Sequence, residues 1–329
     1  MTHLASAVTE KVMAACWPRA VLLFASILST GCIETALLNG QIAATRQGAA
    51  AFDTIDDWEL AYSAASSGIV QLEGMHVLAP HNKDALFMLS KAYAGFAYAF
   101  AEDDLEVSED LGDANLAEYH RKRAIRSYSK SIEYGVALWE ERGFQGFDAA
   151  RQSQSKLAAW LNKFFTQPDD AADLFWTGYA WLARTNLQRE DAEAVANLFV
   201  AVTILEKAVQ LQPSYNHDSG VVALAAYHAR SATAELGEAK KMFDNAIRAT
   251  DRKSLIVLYN YATGLACAQS DSVTYRKLLR EVIATEGSEP TLRLTNVIAQ
   301  RKARRWLAPR RMFNACSIEA ETGGNDGPS

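Results

Sequence analysis

Apolar and small positions along residues 198–251 follow a pattern that occurs twice. Ala201, Leu205, Ala208 and Pro213 recur, after a shift of 38 residues, as Ala239, Phe243, Ala246 and Asp251. Steps of three and four residues place such positions on one face of a helix. A small residue marks the closest approach of two helices, and a large one a turn later fills the space between them. A second small residue follows, and Pro213 stops the first copy. The repeat predicts two helices of the same build, and with them a stack of helical hairpins.

The same alternation extends through the chain. Residues 53–78 predict a first packed helix, with Trp58, Tyr62, Ile69, Leu72 and Met75 or His76 at helical spacing and Asp53 or Asp56 as its cap. Residues 84–101 predict a second, where Leu86, Leu89, Ser90 and Tyr93 keep the large, large, small, aromatic order and Phe96, Tyr98 and Phe100 continue it. Ala124, Tyr128 and Ser131 then stand at the offsets of its partner helix. Between them lie Glu102, Asp103, Asp104, Glu106, Glu109, Asp110 and Asp113. These acids lack the order of a calcium loop, so residues 102–117 are expected to be a solvated loop inserted into one repeat.

Residues 136–165 read as helix broken near Gly143 and Gly146. Pro168, Asp169 and Asp170 open the next helix, as the helix dipole favours. That helix has Gly178 at the close-contact position. Residues 254–267 and 272–284 form a last hairpin. Pro290 opens a final helix through Leu307, whose basic end (Arg301, Lys302, Arg304, Arg305) suits a helix C-terminus. The predicted class is therefore all-α: stacked helical hairpins, a tetratricopeptide-like solenoid or bundle over residues 53–314. Residues 315–329 are polar and glycine-rich and are expected to be a disordered tail.

Composition agrees with helix, since 49% of residues are apolar and only 7 of 329 are proline. The net charge of -6 carries no basic excess that would point to nucleic acid. The N-terminus reads as an address. Lys11 and Arg19 precede an apolar run over residues 20–28, followed by Ser29, Thr30, Gly31 and Cys32. That run falls short of the ~20 residues that span a bilayer. It predicts a signal peptide over residues 1–31 and lipidation of Cys32, with residues 32–52 a tether that becomes helical. Leu28 stands four residues before the cysteine rather than the usual three. Translation from Met1 and from Met13 are both open. Ile33 after the cysteine points to the outer membrane, facing the periplasm. The competing reading is a cytoplasmic protein with an apolar first helix.

The four cysteines form no C-x-x-C pair. Export would permit a disulfide between Cys267 and Cys316. With one on a buried helix and the other in the tail, two free thiols are expected. No serine-hydrolase elbow, H-E-x-x-H helix or phosphate loop is present. His76, His81, His120, His217 and His228 form no pair four residues apart, so no metal site, cofactor or enzymatic activity is expected.

In a stack of hairpins the first helices line the concave face. Positions beside the packing residues on that face are Phe87, Lys91, Phe175, Tyr179, Ala225, His228 and Asn260. Aromatic walls with few polar groups would suit an apolar or amphipathic small molecule. Alternatively, these side chains pack against neighbouring helices or a terminal helix.

Five stretches carry a family likeness. They are residues 89–100 (Leu-Ser-Lys-Ala-Tyr-Ala-Gly-Phe-Ala-Tyr-Ala-Phe), then Arg123-Ala124 with Tyr128 and Tyr134-Gly135, then residues 174–181 and 211–215, and last Leu292-Arg293-Leu294 with Asn296, Ile298-Ala299 and Lys302-Ala303. In this order the chain resembles the T-component family of TRAP transporters, periplasmic lipoproteins with a tetratricopeptide-like fold. The resemblance implies an all-helical protein that associates with an extracytoplasmic solute-binding protein. It also implies a homotrimer and a pore-like cavity for a hydrophobic small ligand. After Pro213-Ser214-Tyr215 the family tends to glycine, whereas Asn216-His217-Asp218-Ser219-Gly220 stands here. The alternative function is a generic outer-membrane tetratricopeptide lipoprotein, a scaffold for protein–protein assembly.

Overall fold

A computed structural model describes residues 35–230 and 235–319. The expected signal segment and Cys32 lie outside them. Helix α1 covers residues 35–48 and runs into a 3-10 turn, Ala49–Thr54. Then come α2 (Trp58–Leu78) and α3 (Lys83–Phe96), which passes through a π-helical turn (Ala97–Ala101) into α4 (Glu102–Leu111). Helices α5 (Ala114–Glu141), α6 (Phe147–Ala150), α7 (Gln154–Phe164), α8 (Asp170–Leu187), α9 (Ala192–Ala196) and α10 (Leu198–Leu211) follow. The chain continues with α11 (Ser219–Arg230), α12 (Leu236–Ala249) and α13 (Leu255–Asn260), the last extended by a second π-helical turn (Tyr261–Ala266). Helices α14 (Ser272–Ala284), α15 (Arg293–Trp306) and α16 (Pro309–Cys316) end it. No strand occurs among the described residues.

The repeated pattern becomes α10 and α12. Ala201, Leu205 and Ala208 are buried on the first and Ala239, Phe243 and Ala246 on the second. Sequential neighbours pair, α3 on α5, α5 on α8, α8 on α10 and α11 on α12. Small residues set the tightest of these crossings. A Cβ at Gly135 would lie 2.0 Å from Thr177 Oγ1, and one at Gly178 would lie 2.9 Å from Ile204. Ser90 and Ser131 bridge α3 and α5, each hydroxyl donating to the other's backbone carbonyl at 3.0 and 2.8 Å.

The chain departs from the sequence reading in five places. First, α2 is capped by Asp57, whose carboxylate accepts from Leu60 N at 2.8 Å, rather than by Asp53 or Asp56. The extended backbone of Asp57 turns its side chain onto the helix end. Second, the tether of residues 32–52, expected to become helical, is already helical at residue 35 and packs on the body of the fold. Ile42 is buried against Ala85 and Met88, and Arg46 pairs with Asp84 at 2.5 Å.

Third, most of the acidic stretch 102–117 is helix, and its central carboxylates are inside the protein. Asp103 is 1% exposed and receives Arg301 Nε at 2.8 Å and Arg305 NH2 at 2.5 Å. Glu106 receives Lys302 Nζ at 3.3 Å and Arg305 NH1 at 2.5 Å. The stretch alone predicts a solvated loop because the partners of these acids lie about 200 positions away. The basic end of α15 is accordingly an ionic match for α4, beyond any role at its own C-terminus. Fourth, the fold runs past residue 314, since α16 buries Met312 and Cys316, and Ile318 is covered too. Fifth, Cys267 and Cys316 form a disulfide that closes 49 residues and pins α16 to the last hairpin, so the expectation of two free thiols is wrong. The pairing was hidden because the tail was read as disordered.

These contacts also decide the shape. Helix α15 packs on α2 and on the 3-10 turn. The C-terminal hairpin therefore returns to the N-terminal one.

Candidate functional site

A partly open cavity of about 590 Å³ lies among these helices. Its lining comes from the 3-10 turn, α2, α3, α8, α11, α13 and α15, and is mainly apolar, with Phe52, Ile69, Phe96, Phe175 and Ile298 as walls.

At one end Lys91 Nζ stands 3.8 Å from Asp53 Oδ2 and 5.6 Å from the Trp176 ring centroid. Both charged side chains keep 35% of their surface accessible, which marks the outer end. Trp176 is held by its indole N–H, which donates to Tyr215 Oη at 2.9 Å. Asn216 and Ser219 also line the cavity. Asn216, His217 and Asp218 all have positive φ (49, 55 and 63°), a backbone region that costs side-chain-bearing residues about 1 kcal/mol or more each. Glycine takes this conformation without that cost, and none of the three is glycine.

Tyr98 lies seven residues beyond Lys91 on the same helix face, about 10 Å along the axis. With Tyr179 and Asn260 it forms the inner end of the lining. The Tyr98 and Tyr179 rings meet edge to face at 6.0 Å, and Asn260 Nδ2 donates to Ile256 O at 2.8 Å. Tyr98 Oη is out of contact with solvent, and the Asn260 carboxamide is the polar group beside it. Behind this wall lies Glu102, which accepts from Tyr128 Oη. Burial pushes the Glu102 carboxyl up to about 7, against the opposing pull of Lys302 and the Tyr128 hydrogen bond. Burial first, and then the Glu102 charge, hold the Tyr98, Tyr128 and Tyr179 hydroxyls well above their ordinary value. Lys302 Nζ sits 5.1 Å from the Tyr98 ring centroid.

The structure brings four of the candidate residues together around the void: Lys91, Phe175, Tyr179 and Asn260. Phe87 is elsewhere, because α1 covers its face and Arg46 lies 4.2 Å over its ring. His228 is also elsewhere, its Nδ1 2.6 Å from Glu235 Oε2. Ala225 is buried in the α11–α12–α13 core. Reading the sequence missed Asp53, Tyr98 and Trp176 as lining. Only Tyr98 had a usable signal, its seven-residue register with Lys91. No group of three His, Cys, Asp or Glu that could hold a metal ion occurs among the described residues.

A second surface feature is apolar. Leu60, Val70, Val77 and Leu78 fall within one face of α2 and are 58 to 76% exposed.

Comparison with known proteins bears on both features. The family model described as TRAP transporter T-component matches residues 54–313. An uncharacterized protein of Treponema pallidum (strain Nichols) is 23% identical over 263 residues, covering 78% of this chain and 80% of that one.

Proposed function

Because the chain belongs to the TRAP transporter T-component family, an accessory family of transport systems and not a known enzyme family, we propose that it is the lipid-anchored periplasmic component that docks the extracytoplasmic solute-binding protein and holds an apolar small ligand. The observation that carries this reading is the partly open cavity of about 590 Å³ with aromatic and aliphatic walls. Its size lies within the range of small-molecule sites. The Cys267–Cys316 disulfide supports a compartment outside the cytoplasm. Attachment through Cys32 at the outer membrane, and a homotrimer, are parts of the same proposal.

Native mass spectrometry of the purified protein tests the ligand half, with retention of an apolar small molecule as the expected result. Co-purification of the mature domain with the solute-binding protein of its own gene neighbourhood tests the docking half. Failure to associate at micromolar concentration would count against it.

The scaffold reading draws on the exposed apolar face of α2, because such patches mark protein contacts. It expects a bound protein or peptide and an empty cavity. Charged substitution of Val70 and Val77 separates it from the transport reading if partner capture is lost while ligand retention persists.

A further inference from the structure

Helix α1 is in place by residue 35, three residues after Cys32. Three residues of chain reach at most about 11 Å. An acyl group on Cys32 would hold the first turn of α1 within that distance of the membrane surface.

Contacts fix what else lies at this end. Asn82 caps α3 with its side-chain oxygen, which accepts from Ala85 N at 2.9 Å, and its Nδ2 donates to Asn39 Oδ1 at 2.8 Å. Leu38, Met75 and Ala79 pack together against Ile42, Ala85 and Met88. His81 Nδ1 lies 2.7 Å from Glu141 Oε1. The start of α1, the turn between α2 and α3 and the end of α5 therefore form one end of the molecule.

That end is apolar on its outside. Leu37, Val77 and Leu78 are 69 to 76% exposed, and Lys83, the first residue of α3, is exposed beyond them. Aliphatic side chains with a cation nearby suit the boundary between acyl chains and headgroups, where lysine reaches back to the phosphates. The short tether favours lipid over protein as their cover. A helix is about 10 Å across, so a reach of about 11 Å leaves no layer for a partner between the leaflet and α1. The opposite end of the molecule is also apolar, with Leu111, Leu116 and Tyr119 exposed around the start of α5. It is far from the tether, because the 28 residues of α5 separate the two ends by about 42 Å.

We infer that the start of α1 and the α2–α3 turn form a membrane-seating face. Leu37, Val77 and Leu78 enter the leaflet that carries the acyl chains of Cys32, and the Leu111 end stands about 40 Å away in water. The inference rests on the proposed acylation of Cys32.

The test uses the acylated mature protein in vesicles of phosphatidylethanolamine and phosphatidylglycerol. Leu37→Cys, Leu78→Cys and Leu111→Cys each accept one nitroxide label, since acylation blocks Cys32 and the disulfide blocks Cys267 and Cys316. Collisions of the label with oxygen, which concentrates in lipid, are compared with those of a nickel chelate, which stays in water. The reference is the same labelled position in unacylated Cys32→Ser protein in solution. The oxygen-to-nickel ratio is expected to rise severalfold at residues 37 and 78 and to stay unchanged at 111. An unchanged ratio at 37 and 78, in protein whose mass shows the acyl chains, overturns the seating face and leaves the anchor standing. A fall in both collision rates at 37 and 78 would put protein there instead and overturns it too. So does a rise at 111, because the body would then lie flat or rest on its other end. Protein whose mass shows no acyl group overturns the anchor and the face together.

Discussion

Glu102→Gln isolates the buried carboxyl behind the cavity wall. Glutamine keeps an oxygen to accept from Tyr128 Oη, so the packing and the hydrogen bond survive while the titration is removed. The carboxyl has an ordinary value of 4.5 and stands at about 7 in the fold. Between those values the folded protein holds a proton that the unfolded chain releases, so stability falls as pH rises through this window and levels off above 7. At ~1.4 kcal/mol per pH unit the gap corresponds to roughly 3 kcal/mol. Glu106 does not confuse the window. Burial alone would raise its carboxyl, but Lys302, Arg305 and Arg311 outweigh that and hold it below the ordinary range. Its contribution is therefore present above 4.5 and lost only at more acid pH. Urea unfolding of both proteins at pH 5 and pH 8 provides the measurement. The stability of Glu102→Gln relative to wild type should grow by about 2 to 3 kcal/mol between the two, since part of the window lies below pH 5. Curves that run parallel would show that Glu102 carries its charge at no cost, and the account of the inner end would be wrong.

Two further substitutions test the packing and the closure. Gly135→Ala places a Cβ 2.0 Å from Thr177 Oγ1 and 3.2 Å from Ser90 Oγ, so chemical denaturation should show a loss of about 2 kcal/mol despite the better helix propensity. Gly74→Ala on α2 meets nothing within 4 Å and should gain about 0.5–1 kcal/mol, so the same sign for both would refute the close α5–α8 crossing. Cys267→Ser with Cys316→Ser removes a link across 49 residues, for which chain entropy predicts a loss of about 4 kcal/mol. An unchanged urea midpoint, and an unchanged midpoint of the wild type after reduction, would show that the pair is not bonded.

What could be read along the chain was whatever depends on neighbours a few residues away. The α10 and α12 repeat is of this kind, because a small–large–small face is legible within three turns and its burial follows from the pattern alone. So are the breaks at Gly143 and Gly146, both with positive φ (86 and 88°), and the placing of Lys91, Phe175, Tyr179 and Asn260 on inward faces. The misjudged parts depend on what closes the stack. Phe87 occupies a position equivalent in register to its neighbours, yet α1 arrives over it and removes it from the cavity. The charges of α4 and α15 each admit a sufficient local explanation, solvation for one and the helix dipole for the other. Nothing in either stretch says that Asp103 will meet Arg305.

That ionic match and the cavity share one cause. An open stack would leave its concave face to water, and the aromatic residues there would be a groove. Placing α15 against α2 narrows the groove into a partly open cavity. It also carries Lys302 to the back of Tyr98 and strips Glu102 of solvent. The low exposure of Asp103 is thus bound up with the existence of a site. Buried ion pairs are weak sources of net stability beside apolar substitutes of the same volume. Their worth here lies in register, since the α4–α15 ion pairs hold the two chain ends in the alignment that borders the cavity.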